Sequence, residues 1–256
     1  LAGKLGVTRN SVWKAVNKLK EAGYEIEAAT NRGYLLRSDE NALTPQSVRR
    51  LLTGPARRCT ISVQDSVTST NTVLKAIAEQ GGAEGMTLIA QQQTQGKGRL
   101  GRTFLSPKGT GLYISVLLRP KFSAEESLCV TTAAAVAVAE AIDCVTGQYA
   151  QIKWVNDVYV KGRKVCGILT EASVDFENSG LNYAIVGIGV NVQEPVGGFA
   201  PEIRDVAGAL YSGEAPAGVR TRLAAELLNR FFGFYGNLTQ RAFMEAYRQR
   251  SLLTGM

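Results

Sequence analysis

Met86-Thr87-Leu88-Ile89-Ala90-Gln91-Gln92-Gln93-Thr94-Gln95-Gly96-Lys97-Gly98-Arg99-Leu100-Gly101-Arg102 is the stretch on which the reading of this chain turns. It begins as an apolar strand and becomes a polar, glycine-rich, basic loop; Leu112 to Leu118 then resumes as a second apolar strand. A loop this long inside a compact domain is usually functional or disordered. Its three glycines expose backbone N–H groups with no Cβ in the way, which suits close approach to an anion. Lys97, Arg99 and Arg102 set cations among those amides, and arginine can grip a phosphate or carboxylate through two parallel hydrogen bonds. The pattern G-K-G-R-x-G-R is not the Walker pattern, which needs G-x-x-x-x-G-K-[ST]. A mobile, solvated basic loop or a nucleic-acid contact is the plainer alternative.

Outward from the loop, strands and helices mix from about Cys59. Ile61 to Val63 reads as a strand and Thr70 to Gln80 as a helix. A long Ala/Val-rich helix follows from Ala124 to Cys144. Ile152–Val155, Val158–Val160, Val165–Glu171 and Tyr183–Val192 read as further strands, with Lys161-Gly162-Arg163 as a turn. Arg220–Tyr235 and Leu238–Arg250 close the chain as helices. Runs of strands with helices on one side predict an α+β domain around a mixed, largely antiparallel sheet.

Two of these strands carry unusual residues. Lys153, in Lys153-Trp154-Val155-Asn156-Asp157, follows an apolar strand, so its ammonium is expected in a partly buried site with an anionic partner. The commoner fate of such a lysine is a head group in water. Gly187 and Gly189 share one face of Ala184–Asn191. Paired glycines in a strand mark a place where another group approaches the backbone, whether a ligand or a packed helix.

The first 38 residues read as a separate unit. Leu1 to Leu5 is a helix remnant, Gly6-Val7 a turn, and Thr8 the N-cap of a helix from Arg9 to about Ala22. Val12, Val16 and Leu19 share its apolar face, and Gly23 stops it. Two short strands, Ile26–Ala28 and Tyr34–Leu36, flank the turn Thr30-Asn31-Arg32-Gly33. Helix, turn, helix and hairpin is the order of a winged helix-turn-helix. Thr8, Arg9, Asn10, Ser11, Lys14, Asn17 and Lys18 on the second helix, with Arg32 in the wing, suit phosphate and base-edge contacts with DNA. A solvated helical subdomain is the bland alternative. Residues 39–58 read as a linker with a short helix from Thr44-Pro45 to Leu52, and 59–256 as the main domain.

Composition narrows the chemistry. The 256 residues hold no histidine, which removes Ser-His and Cys-His nucleophile pairs and imidazole metal ligands. Cys59, Cys129, Cys144 and Cys166 stand apart with no CxxC spacing, so reduced thiols in a cytoplasm are expected. The longest wholly apolar run, Ala133 to Ala139, falls short of the ~20 residues of a membrane span, and no membrane association is expected. Of the net charge of +7, seven Lys/Arg against three Glu lie in residues 1–38, which suggests a polyanion partner. The opening at Leu1, in what reads as mid-helix, leads us to expect a truncated N-terminus.

Five blocks occur together in one order: Ser69-Thr70-Asn71, Gln93 with the Gly96–Arg102 loop, Lys153–Asp157, Val165-Cys166-Gly167-Ile168-Leu169, and Gly187-Ile188-Gly189-Val190-Asn191. In this the chain resembles the biotin–protein ligases, and most closely the bifunctional group in which a winged helix-turn-helix precedes the ligase domain and represses biotin-synthesis genes. The resemblance implies a ligase domain like that of class II synthetases, followed by a small β-barrel that this sequence, stopping at Met256, does not reach. It implies that Ser69, Thr70, Asn71 and Gln93 line a biotin pocket, and that Lys97, Gly98 and Arg99 lie over the biotin carboxylate and the α-phosphate of ATP. It further implies that Lys153 bonds the reacting oxygens, that Gly187 and Gly189 leave room for biotin, and that Arg102, Phe104 and Asn191 serve the nucleotide, Asn191 near its phosphates or magnesium. Arg99 and Lys153 would be the catalytic pair. Lys97 departs from the family, which commonly reads G-R-G-R; the charge stays and the bidentate fork is lost.

The implied reaction has two steps, formation of biotinyl-5′-AMP from biotin and ATP, then transfer to a lysine of a biotin carboxyl carrier protein. Both build charge on oxygens that oriented cations and amides stabilise, so a chain without histidine can carry them out. Magnesium would be held mainly by triphosphate oxygens and water. The resemblance also implies operator DNA as a partner; a homodimer on adenylate or DNA binding is expected, since a loop that orders around the adenylate would complete a dimer surface through a neighbouring sheet edge. A biotin-sensing repressor without efficient transfer is the alternative. A lipoate-handling relative ranks lower, because its glycine motif differs and its pocket carries a histidine.

Overall fold

The computed structural model describes residues 2–21, 26–29, 33–36, 42–120, 128–175 and 180–253. The N-terminal unit holds α1 (Ala2–Leu5), α2 (Arg9–Glu21), β1 (Ile26–Ala29) and β2 (Gly33–Leu36), the strands paired antiparallel. Thr8 caps α2 by accepting from the Ser11 amide at 3.1 Å, as its position before the helix predicts. Val12, Val16 and Ile26 form a small core with Ala2 and Tyr34 against it. That core ends before Leu19, which stays 42% exposed instead of joining the apolar face. The helix stop at Gly23 and the wing residues 30–32, Arg32 among them, lie outside the described residues.

From Leu43 onward the chain packs on the two faces of one sheet, with a main apolar cluster on one and a smaller cluster on the other. Thr44 opens α3 (Pro45–Leu51) with a reciprocal capping box, its side chain bonded to the Ser47 amide and the Ser47 side chain to its own. Leu43, Val48, Leu52 and Ala56 pack into the main cluster. The elements that follow are β3 (Thr60–Gln64), α4 (Thr70–Glu79), β4 (Met86–Ala90), β5 (Gly111–Leu118), α5 (Leu128–Thr146), β6 (Ala150–Lys153), β7 (Asp157–Val160), β8 (Arg163–Asp175), β9 (Gly180–Asn191), α6 (Val219–Tyr235) and α7 (Phe243–Arg250). Residues 124–127, with which the long helix was expected to begin, lie outside the described residues. The expected helix Leu238–Arg250 is broken: a single 3-10 turn ends at Arg241, whose φ of 52° stops the helical path before α7.

The sheet runs β3-β4-β5-β9-β8-β7-β6, with only β3 and β4 parallel. A parallel pair needs a crossover, and α4 supplies it. Its Leu74 and Ala78 pack with Leu88, Leu117 and Ile185 on one sheet face. On the other face Leu112, Ile114, Val116 and Leu118 meet α5 and α6. Helices therefore cover both faces, not one, because every residue of β5 is buried and each alternate set needs its own cover. Tyr113 and Ser115 share the α4 side of β5 and carry the two hydroxyls of an otherwise apolar run.

Cys129–Thr146 is long and apolar enough to cross a membrane by length and composition, although no single apolar run within it is. Its Val130, Ala133 to Ala139 and Ile142 are buried between the sheet and α6, and a central helix packed on several sides is apolar all round. Lys161 and Gly162 both take positive φ (50° and 75°), the primed turn that matches strand twist and closes β7 onto β8.

Candidate active site

A cavity of about 1160 Å³ opens beside the middle of the sheet, where β8 and β9 meet the N-terminus of α4. The 92–107 loop covers one side and residues 198–207 the other.

Its floor is polar and almost sealed from solvent: Ser69 is 2% exposed and Thr70 and Asn71 4%, with Ser115 fully buried behind them. Buried polar groups are tolerated only when hydrogen-bonded, and here they form a continuous chain. The Gln93 carbonyl accepts from the Thr70 amide at 2.8 Å and lies 3.0 Å from the Thr70 hydroxyl. Gln93 Nε2 donates to Ser106, whose hydroxyl reaches the Phe104 carbonyl. Ser115 Oγ lies 2.6 Å from Thr70 Oγ1 and 2.7 Å from Asn71 Oδ1. Asn71 Nδ2 donates to Glu171 at 2.7 Å and to the Leu169 carbonyl at 3.3 Å. Asn71 therefore borders the cavity while both ends of its amide are engaged by protein.

The glycine-rich loop closes on itself. Gly98 N–H donates to the Arg102 carbonyl at 2.7 Å and Phe104 N–H to Gly96 at 2.9 Å, while Lys97 bridges Thr103. Leu100 (φ 55°) and Gly101 (φ 73°) make the reversal, and Leu100 is 91% exposed. A left-handed leucine costs roughly 1 kcal/mol, and such strain concentrates at functional loops. Lys97, Arg99 and Arg102 are exposed. A Cβ on buried Gly96 would strike the Phe104 carbonyl and Ser106 hydroxyl, so glycine is required there for packing.

Arg99 crosses to the far wall, where its Nη1 donates to Asn156 Oδ1 at 2.9 Å. Asn156 is buried and is itself held by donation to the Ile168 carbonyl at 3.0 Å. Beside it, Lys164 Nζ pairs with Asp157 at 2.8 Å, both side chains being about a quarter to a third exposed. Residues 206–208 clamp the Lys164 backbone, since its N–H donates to Val206 and its carbonyl accepts from Gly208, each at 2.8 Å. Lys164 lines the cavity and Lys153 does not. Lys153 ends β6 exposed, its ammonium 5.8 Å from the Tyr159 ring centroid. The expectation of a partly buried Lys153 is thus corrected. Lys153 is exposed, and the lysine inside the site stands on β8, beside Gly167 on the cavity face, while Cys166 points into the core. The register of β8 against β7 shifts between Lys164 and Cys166, so a period-two reading back from Cys166 assigns Lys164 to the wrong face.

Of the two readings of Gly187 and Gly189, close approach of a protein group is the one seen here. Their missing side chains make room for protein groups: a Cβ on Gly187 would collide with the Asn71 amide, and one on Gly189 would come within 2.5 Å of the Phe104 ring. Phe104 lies over Gly189 and edge-on to Tyr113, with centroids 6.4 Å apart. Asn191 borders the cavity, and its Nδ2 donates to the Gly208 carbonyl at 3.0 Å, which leaves Oδ1 as an acceptor.

Cys166 also lines the cavity, but burial pushes its thiol up, so it stays protonated and a poor nucleophile. All four cysteines are free thiols. Among the described residues no group of three His, Cys, Asp or Glu could hold a metal ion. In the N-terminal unit Thr8, Arg9, Asn10, Ser11, Lys14 and Lys18 are exposed and Asn17 half-buried, though the Thr8 and Ser11 hydroxyls bond each other at 2.9 Å.

A polar floor, a cationic loop and a second cation on the sheet, all facing one cavity, define a site for a ligand polar at one end and anionic at the other. The chain belongs to the biotin/lipoate A/B protein ligase family, whose model matches residues 63–191. A helix-turn-helix domain model matches residues 1–35. The chain is 34% identical to the bifunctional ligase/repressor BirA of Bacillus spizizenii over 82% of its own length and 64% of that protein, and 27% identical to BirA of Escherichia coli over 75% and 58%. It therefore spans less than two thirds of either BirA protein. Among solved structures, the biotin protein ligase of Aquifex aeolicus in complex with biotin and ATP is similar at 31% identity and a TM-score of 0.61, covering 77% of this chain and 80% of that one.

Proposed function

We propose that the chain is an ATP-dependent biotin–protein ligase that also binds operator DNA as a repressor. The observation that carries this is the convergence of Arg99, tethered by Asn156, and Lys164, tethered by Asp157, on a cavity with a hydrogen-bonding floor. The ureido end of biotin sits against Ser69, Thr70 and Gln93, and its carboxylate lies between Lys164 and the Lys97–Arg99 loop. Carboxylate and triphosphate would repel each other in water; two fixed cations hold them together and stabilise the charge that builds as the carboxylate oxygen attacks the α-phosphorus. Pyrophosphate leaves. A lysine ε-amine of the carrier protein then attacks the adenylate carbonyl, AMP departs, and the amine gives up its proton. Phe104 and Arg102 take the adenine side, and Asn191 would offer an oxygen toward magnesium, which would offset the charge of the triphosphate and be held mainly by its oxygens and water. Incubation with biotin, ATP, magnesium and a carrier domain should add one biotinyl group to the carrier by mass. Adenylate formation without transfer would establish instead a sensing repressor.

We assign residues 1–38 to DNA reading, 39–58 to a bridge whose later half packs into the core, and 59–256 to catalysis, in a cytoplasmic protein that dimerises with the adenylate bound. An unchanged monomer–dimer equilibrium on adding biotinyl-AMP would remove the dimer from this scheme. The exposed helix α2 supports the DNA assignment. Lys14→Ala and Lys18→Ala should each weaken operator binding and lower the slope of log K against log[salt] by about 0.9 per lost phosphate contact. Unchanged slopes in both would place the DNA face elsewhere.

A further inference from the structure

Residues 42–64 hold four arginines and no Asp, Glu or Lys. Arg49 and Arg50 end α3, and Arg57 and Arg58 end the 3-10 turn Gly54–Arg58 that follows it; all four are exposed. Backbone contacts gather them around one helix end. Arg57 Nε donates to the Leu52 carbonyl at 3.2 Å, and the Leu52 amide donates to the Arg49 carbonyl at 3.2 Å. Arg49 Nη2 donates to the Ile61 carbonyl at 3.3 Å, and the Arg50 and Arg58 side chains have no partner among the described residues.

Like charges held together raise each other's energy unless counter-charges offset them. Here the neighbouring carboxylates are engaged elsewhere. α6 packs on both arginine segments, yet its Glu226 pairs with Arg230 at 2.8 Å. Glu84 accepts from the Arg119 amide and the Tyr235 hydroxyl, each at 2.9 Å. Among the described residues no ion pair includes any of the four arginines. None of residues 42–64 lines the cavity, which opens on the α4 side of the sheet, whereas Val48 and Ala56 pack in the cluster on the other face. The patch therefore serves neither biotin nor ATP.

We infer that Arg49, Arg50, Arg57 and Arg58 form a second DNA contact, binding backbone phosphates of the duplex beyond the base pairs met by α2. The inference rests on the repressor reading above. Arginine grips phosphate through its planar fork, and Arg57, held by Nε, keeps both terminal nitrogens for that purpose. Reach favours DNA over an acidic face of the carrier. Thr221 Oγ1 fixes Ala42 to the main domain at 3.2 Å, and Ala42 follows Leu36, the last residue of β2, by six positions. Six residues span at most about 20 Å, and α3 adds about 10 Å. The arginines thus stay within one turn of duplex, ~34 Å, from the DNA-reading unit. That duplex carries one phosphate charge per ~1.7 Å. A carrier, by contrast, must present its lysine to the cavity, on the other side of the sheet.

The full chain is titrated by fluorescence anisotropy against two duplexes: the shortest it selects from random sequence, and that duplex extended by one helical turn, about 10 bp, at each end. For wild type, log K should fall more steeply with log[salt] on the extended duplex. Arg50→Ala with Arg58→Ala removes the two unpartnered side chains and should lower that slope by about 1.8, or about 0.9 for either change alone, on the extended duplex only. Arg50→Lys with Arg58→Lys keeps the charges and should keep the slope. Biotin transfer should be unchanged throughout, which also reports that the variants are folded. Unchanged slopes in the alanine variants overturn the inference. So does an equal loss on both duplexes, which marks general charge without a contact beyond the bases read. A raised KM for the carrier domain with unchanged slopes gives the patch to the carrier instead. Wild type that binds neither duplex overturns the repressor reading itself.

Discussion

Arg99→Ala should lower the rate of adenylate formation by about 10²–10³-fold, the usual loss when one preorganised donor to a developing oxyanion is removed. Its side chain is exposed and bonds one partner, Asn156, so little of the fold depends on it. The melting temperature should stay close to that of wild type, as for surface substitutions generally. Asn156 keeps its bond to the Ile168 carbonyl whether or not the arginine is present. Arg99→Lys restores the charge without the planar fork and should recover only part of the activity. Pyrophosphate release by Arg99→Ala at a near-normal rate would remove Arg99 from the chemistry and leave the loop a covering role.

Lys164→Met and Lys153→Met should separate sharply. Lys164 faces the cavity from a backbone clamped on both sides, whereas Lys153 lies in solvent against Tyr159. The first change should reduce ligation by at least about 10²-fold, the second by less than about twofold. Lys164→Met also leaves the Asp157 carboxylate without its ion pair, at a cost of about 1 kcal/mol after allowing for their partial exposure. The double variant Lys164→Met with Asp157→Asn should regain that stability while remaining inactive, so lost chemistry is distinguished from lost folding. Strong impairment by Lys153→Met with Lys164→Met active would reverse the assignment.

The difference between these two lysines shows what a sequence can disclose. Lys153 sits in a conspicuous block beside a tryptophan and an Asn-Asp pair, and a linear reading favours it. Which face a residue presents at the end of a four-residue strand depends on the turn that follows, and no periodicity extends through that turn. Lys164 is inconspicuous in sequence, and it shares a face with Gly167 instead of Cys166 because the strand register shifts between them, which period-two reading does not show. The mixed sheet, the basic loop and the polar residues at the start of α4 were legible because each rests on local pattern: apolar alternation, glycine spacing, a helix beginning. Covering of both sheet faces was not legible, nor was the filling of the Gly187 and Gly189 spaces by Asn71 and Phe104. These are contacts between residues far apart in the chain, and a strand glycine is the same letter whether a ligand or a side chain occupies the space above it. The break at Arg241 was missed for a different reason, since arginine is a good helix former and only its surroundings hold it at positive φ.

The strand order has a consequence for the chain as it is made. β5 is buried along its whole length, yet one of its neighbours is β4, already synthesised, and the other is β9, which begins only at Gly180. At ~5–20 residues per second, one apolar edge of β5 waits on the order of several seconds for its partner to leave the ribosome. The same strand carries Ser115, so the floor of the cavity cannot assemble before the sheet closes. Nascent chains of this protein should be most prone to aggregation in that interval, and most in need of a chaperone that shields an open strand edge.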